Sequence, residues 1–187
     1  MIEKKSTLEN LAGLKHTYWR FSQSQKGRSI EKFYAEYKPG KITVAENEKK
    51  LSFVNETTIA NCFMYGDMLT KLVFDIRNEE FKKIMNCKVK CIGDAMGEYE
   101  CCMLLPEKNY SLSDVNTIRL IFSMVKEKKQ LISIFFHGYS NLESRLRGYG
   151  FLEAADLVHY LNEEFNKDND ILLKRGVELI DTYLSIN

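Results

Sequence analysis

The chain has 187 residues, of which 44% are hydrophobic, 12% aromatic and 28% charged, with two prolines and a formal net charge of +1. These values exclude a disordered tail, a collagen-like repeat and a protein that seeks polyanions through bulk charge, and they allow one domain-sized core. No run of eighteen apolar residues occurs, so no transmembrane helix is expected, and the first ten residues lack the apolar stretch of a secretory signal.

Ser6-Thr7-Leu8-Glu9 has the form of a capping box, and Leu8, Leu11, Leu14, Tyr18 and Phe21 follow at helical spacing, which predicts a first helix over 7–24. From 30 to 54 the pattern alternates. Phe33, Ala35 and Tyr37, then Ile42 and Val44, then Leu51 and Phe53 predict a three-stranded meander turned by Pro39-Gly40 and by Asn47-Glu48-Lys49-Lys50. Asn55 can cap a second helix that carries Ile59, Cys62, Phe63, Gly66, Leu69 and Val73 and ends near 74. Cys87, Val89 and Cys91 share one face of a strand, Gly93 to Gly97 supplies turn residues, and 99–105 reads as the returning strand of a hairpin closed by Pro106.

Ser111 or Ser113 can cap a helix bearing Val115, Ile118, Ile121, Phe122 and Val125. The β-branched and aromatic content of 131–139 favours a strand, although Ile132, Phe136 and Tyr139 also keep helical register. Arg147-Gly148 reads as a helix end with Gly at the residue after the cap. Two further helices, near 151–165 and 171–184, predict an antiparallel helical pair. The expected fold class is therefore α+β, with a meander and a hairpin packed against helices. It forms a single domain over 1–187, divisible into a mixed part at 1–110 and a mainly helical part at 111–187.

Five cysteines, an odd number with Cys101 and Cys102 adjacent, suit reduced thiols in the cytoplasm better than a disulfide framework. Cys87, Cys91, Cys101 and Cys102 bring four thiols into sixteen residues and are the metal candidates. On a regular strand, however, Cys101 and Cys102 face opposite ways, so all four cannot surround one ion, and small buried core residues explain them as well. His16, His137 and His159 could each pair with a thiol in space, but no Gly-x-Ser-x-Gly elbow, P-loop or His-Glu-x-x-His motif is present. No catalytic residue and no cofactor are assigned.

Charge is uneven: residues 1–50 hold eleven Lys or Arg against six Glu. There Trp19, Arg20, Lys26, Arg28, Tyr34, Tyr37 and Lys38 interleave cations with aromatics, the composition that tracks phosphates and stacks bases. Solvated surface and core aromatics explain much of the same pattern. A second candidate surface is Arg145, Arg147 and Tyr149 at a Gly-Tyr-Gly turn, where two guanidiniums and a ring could meet a partner protein.

The leading expectation is a non-catalytic binding or regulatory protein that acts through protein–protein contacts. One form of it is a small inhibitor or adaptor, of phage or bacterial anti-defence type, directed at a nucleic-acid enzyme. The alternatives are a nucleic-acid-binding domain using the basic-aromatic segment and an enzyme that depends on cysteine or metal. A protein partner is expected, no membrane is, and self-association is compatible with the sequence.

Overall fold

Thr7 and Asn10 cap each other at the first helix of the computed structural model, which describes residues 6–23, 37–46, 50–62, 66–92, 97–136 and 141–186. Thr7 N donates to Asn10 Oδ1 at 3.1 Å and Asn10 N to Thr7 Oγ1 at 3.3 Å, so the capping box lies one residue later than the sequence pattern suggested. The helix it opens, α1 (Leu8–Ala12), is short, and Leu14 is exposed beyond it. The expected helix over 7–24 is thus overturned in its second half, which forms the strand β2 (Tyr18–Ser22). Gly13 weakens continuation of the helix, and Tyr-Trp-Arg-Phe is a strong strand former. Tyr18 and Trp19 are neighbours that bury on opposite faces of a central strand, a pattern that mimics helical spacing.

The remaining strands are β1 (Ser6–Thr7), β3 (Thr43–Val44), β4 (Leu51–Asn55), β5 (Met68–Leu72), β6 (Lys88–Cys91), β7 (Glu98–Cys101), β8 (Met103–Leu104) and β9 (Pro106–Ser111). Among the described residues, six of them join β2 in an antiparallel sheet of order β1-β6-β7-β4-β2-β5-β9, and β3 pairs separately with β8. The expected meander is therefore replaced: β4 lies between β2 and β7, while β3 joins β8 through Thr43↔Leu104 and Val44↔Met103. The meander's first strand, but for Tyr37, lies outside the described residues.

The expected helix from Asn55 to 74 is also replaced. Asn55 does cap, but it folds a local turn, its Oδ1 accepting from Thr57 N at 3.1 Å and Thr57 Oγ1 at 2.6 Å. One 3-10 turn at Ile59–Asn61 follows, and β5 then pairs with β2 over four residues. Asn, two threonines and Gly66 favour turns over a long helix, and Leu69 and Thr70 bury on opposite faces of β5.

The β6–β7 hairpin forms as expected, with Lys90↔Glu100 and Cys91↔Tyr99 in register. Its returning strand does not run to Pro106. It breaks at Cys102 between β7 and β8, and Pro106 begins the edge strand β9, where the sheet can spare a backbone N–H. A short helix absent from the periodicity, α2 (Glu79–Lys82), is capped by Asn78, whose Oδ1 accepts from Glu80 N and Phe81 N, and it buries Phe81 completely.

Contacts divide the chain into two compact units, Met1–Thr58 with Met68–Asn109 and Ile59–Asp67 with Tyr110–Asn187. The core of the first includes Leu8, Tyr18, Phe53, Phe81, Val89 and Leu104. Full burial of such a side chain contributes about 1.5–3 kcal/mol.

The second unit is mainly helical. It contains α3 (Val115–Met124), α4 (Lys128–Phe136), α5 (Leu142–Gly148), α6 (Leu152–Lys167) and α7 (Ile171–Ile186). Asp114, rather than Ser111 or Ser113, caps α3 through Asn116 N at 2.9 Å. The segment from 131 to 136 is helix and not the expected strand; 137–139 lie outside the described residues. Gln130 decides this by accepting from Lys126 N and Glu127 N at 2.7 and 2.9 Å, and Gln130, Leu131, Ile134 and Phe135 then bury one helical face. α5 ends at Gly148 as expected, but the left-handed residue is Gly150, with φ 80°. α6 and α7 pack together, α7 kinks at Arg175, and Arg119 on α3 clamps Asp181 on α7 through two bonds of 2.7 and 3.0 Å.

Gly97 and Gly40 separate two costs. Both have left-handed φ, 124° and 76°, but a Cβ on Gly97 would press on Thr58 Oγ1 and lie 2.7 Å from Asn55 Oδ1, while one on Gly40 meets nothing within 4 Å. Gly40→Ala is expected to cost about 1 kcal/mol and Gly97→Ala about 2 kcal/mol or more, read from urea unfolding midpoints at unchanged m-value.

His16 Nδ1 lies 2.8 Å from Glu56 Oε1, and Thr17 N donates to Glu56 Oε2 at 2.8 Å, tying the chain before β2 to the turn after β4. Partial burial raises the Glu56 pKa, but the His16 and Thr17 hydrogen bonds outweigh it and hold the carboxyl below its usual range. A depressed folded pKa contributes stability above the unfolded value of about 4.3 and loses it as pH falls through the folded value. Urea titrations at stepped pH should therefore show a flatter acid limb for Glu56→Gln than for the wild type.

Candidate functional site

Cys87, Cys101 and Cys102 come together where β6 and β7 meet the break before β8. Cys87 precedes β6, with its N–H donating to Ile84 O at 2.8 Å and its carbonyl accepting from Leu8 N at 3.1 Å. Cys102 sits at the bend between two strands, so the strict alternation that would turn it away from Cys101 does not apply. Its Sγ lies 3.1 Å from Cys87 Sγ. Cys101 is also hydrogen-bonded to Cys87, and its single proton can go to that sulfur or to Met103 O at 3.0 Å. Cys87 and Cys101 are buried, Cys102 is half-buried, and Cys91 is exposed at the end of β6 opposite Tyr99.

The sulfurs are electrostatically unequal. The hydrogen bond from Cys101, assisted by Cys102 and opposed by burial, draws the Cys87 thiol down to about 5. The same bond, reinforced by burial, pushes Cys101 far up. Burial and the neighbouring Cys87 raise Cys102, with Lys50 partly offsetting them. One thiolate held by two thiols is the favoured state. Tetrahedral zinc–thiolate bonds of about 2.3 Å would hold sulfurs about 3.8 Å apart, wider than the 3.1 Å between Cys87 and Cys102. Among the described residues no group of three or more His, Cys, Asp or Glu side chains has the arrangement of a metal site. His16 and His159 pair with carboxylates, His159 Nδ1 lying 3.2 Å from Glu143 Oε2.

Of the basic-aromatic set, Trp19, Arg20, Tyr37 and Lys38 fall among the described residues. Trp19 is 3% exposed, its indole N–H donating to Thr17 Oγ1 at 2.9 Å, so it packs inside and offers no stacking face. Arg20 donates to Ser52 O and lies 4.9 Å over the Tyr37 ring, within its own unit. Tyr37 is half-buried with its carbonyl bonded to Asn109 Nδ2 at 2.9 Å, and Lys38 is exposed. Lys26, Arg28 and Tyr34 lie outside the described residues.

At the helical unit's Gly-Tyr-Gly turn, Arg147 is held between Glu143 at 3.0 Å and Asp156 at 2.9 Å, and Arg145 lies 6.0 Å from the Tyr149 ring. The turn thus fastens α5 to α6. Among the exposed apolar residues that the sequence pattern did not single out, two share one helix, α4. Lys128, Ile132 and Phe136 follow at intervals of four, Ile132 is 48% and Phe136 53% exposed, and the Phe136 ring rests 6.1 Å from Phe165. The interval of four was present in the sequence, but a strand reading places Ile132 and Phe136 among alternating residues and hides the stripe.

The thiol assignment predicts that iodoacetamide labelling of Cys87, followed on the peptide 84–88 by mass spectrometry, has a pH midpoint near 5, against about 8.5 for an ordinary thiol. Comparison of the chain with family models, with curated proteins and with solved structures finds no match.

Proposed function

We propose that the protein works by contact, as a binding or regulatory protein whose docking face is the α4 stripe of Lys128, Ile132 and Phe136. The observation that carries this reading is that two large apolar side chains, one turn apart on one helix, keep about half of their surface in solvent. Phe136 is backed from inside by Phe135 and Phe165, so a partner would meet a supported ring and not a loose one. Lys129 is already paired with Glu127 at 2.8 Å, while Lys128 heads the stripe as an exposed cation. The occupant that fits is an amphipathic protein segment with apolar side chains for Ile132 and Phe136 and a carboxylate for Lys128. The inhibitor or adaptor role expected from the sequence is one form of this reading. Burial of Trp19 and engagement of Arg20 with Ser52 and Tyr37 remove two residues that the nucleic-acid alternative would use.

The test is affinity retention from nuclease-treated and untreated extracts with wild type, Ile132→Glu, Phe136→Glu, Lys128→Glu and the control Leu152→Glu, each confirmed folded by circular dichroism. Leu152 is 58% exposed at the start of α6 and off the stripe. One protein should be retained in both extracts, falling about ten-fold with either apolar variant, less with Lys128→Glu, and unchanged with Leu152→Glu. Equal retention by the apolar variants overturns the assignment. Capture that disappears with nuclease overturns it in favour of the nucleic-acid alternative.

A further inference from the structure

We infer that Cys87 and Cys102 are a redox-modification site, at which a hydroperoxide drives formation of an intramolecular disulfide that small thiols reverse. This inference is independent of the α4 stripe. The sulfurs are 3.1 Å apart, and a disulfide needs about 2.05 Å, so closure asks for a movement of about 1 Å. The two residues are fifteen positions apart, and the β6–β7 ladder, with the Leu8 N to Cys87 O bond, holds them together. Cys102 belongs to neither β7 nor β8, so its side chain can close on Cys87 without unpairing either strand. Its partial exposure brings solvent beside the buried Cys87 sulfur.

The chemistry balances with the peroxide as the two-electron oxidant. The Cys87 thiolate attacks the peroxide oxygen, an S–O bond forms as the O–O bond breaks, and the leaving alkoxide takes a proton to become an alcohol. Cys102 sulfur then attacks Cys87 sulfur, the S–O bond breaks, and the departing hydroxide takes the Cys102 proton as water. Two thiols have lost two electrons and two protons, and the peroxide has become alcohol and water. Two equivalents of a small thiol return the pair through a mixed disulfide and are themselves oxidised to a disulfide. The low pKa of Cys87 supplies the attacking thiolate, and Cys101, which takes no part in the new bond, is a positioning residue that holds that thiolate by donating to it.

The experiment treats the reduced full chain with tert-butyl hydroperoxide, blocks it with N-ethylmaleimide and maps the tryptic peptides. The expected product is monomeric, joins peptide 84–88 to peptide 91–108 through Cys102, is two hydrogens lighter than their sum and is reversed by dithiothreitol. Cys91→Ser should keep the bridge, and Cys102→Ser should remove it and leave a Cys87 sulfenic acid that dimedone traps. Cys101→Ala should raise the pH midpoint of Cys87 oxidation and slow it about ten-fold at pH about 6, with Cys101→Ser restoring it, a profile that mere loss of packing would not move. A bridge to Cys91 or Cys101, a bridge between two chains, or Cys87 still fully alkylated after peroxide overturns the inference. The wild-type map decides the pairing even where a variant fails to fold.

Discussion

The Tyr18 hydroxyl donates to Leu11 O at 3.1 Å, while its ring lies 4.1 Å from Phe74 and 5.9 Å from both Phe53 and Tyr99. One residue on β2 therefore touches α1, two other strands of the sheet and the chain leaving β5. The contacts are mutually dependent. The phenol is 1% exposed and needs its acceptor, and burial pushes its pKa well above the ordinary tyrosine range, so it stays a neutral donor. Phe74 passes the packing on to Phe81, the buried residue of α2, which leads into Cys87 and β6. The position of the thiol group thus follows from this aromatic cluster through a few short steps of chain.

Local geometry then departs from regularity at the place that matters chemically. A continuous strand through Cys101 and Cys102 would send the two sulfurs to opposite faces, which is why a single cluster looked unreachable from spacing alone. The break at Cys102, between pairing with β4 on one side and with β3 on the other, lets both sulfurs approach Cys87. Two thiols grouped around Cys87 cannot share its proton equally, so Cys87 is drawn down while Cys101 and Cys102 are raised.

Among the described residues, four arginines are engaged by partners of their own unit. Arg20 is used on Ser52 and Tyr37, Arg119 on Asp181, Arg147 on Glu143 and Asp156, and Arg175 on Glu178. Arginine suits these positions because its planar fork can serve two acceptors, or an acceptor and a ring, at once. Arginine content is therefore a poor guide here to an outward-facing surface, and the exposed apolar stripe of α4 is a better one.

Sequence alone determined the α+β class, the β6–β7 hairpin, the helices α3, α6 and α7 and the end of α5. In each of these the signal is local: clean two-residue alternation, long helical periodicity, or a Gly-rich stop. Tertiary structure decided the elements whose apolar residues bury on two faces. Tyr18-Trp19 and Leu69-Thr70 are central strands because β4, β5 and β9 flank them, and spacing cannot separate that pattern from an amphipathic helix. α4 turned on one buried glutamine closing its first turn, and that choice moved Ile132 and Phe136 to the surface. The cluster of cysteines was visible as composition, but their grouping depended on a one-residue break in a strand. Partners from β3 and β4 set that break, and those partners are distant in the chain.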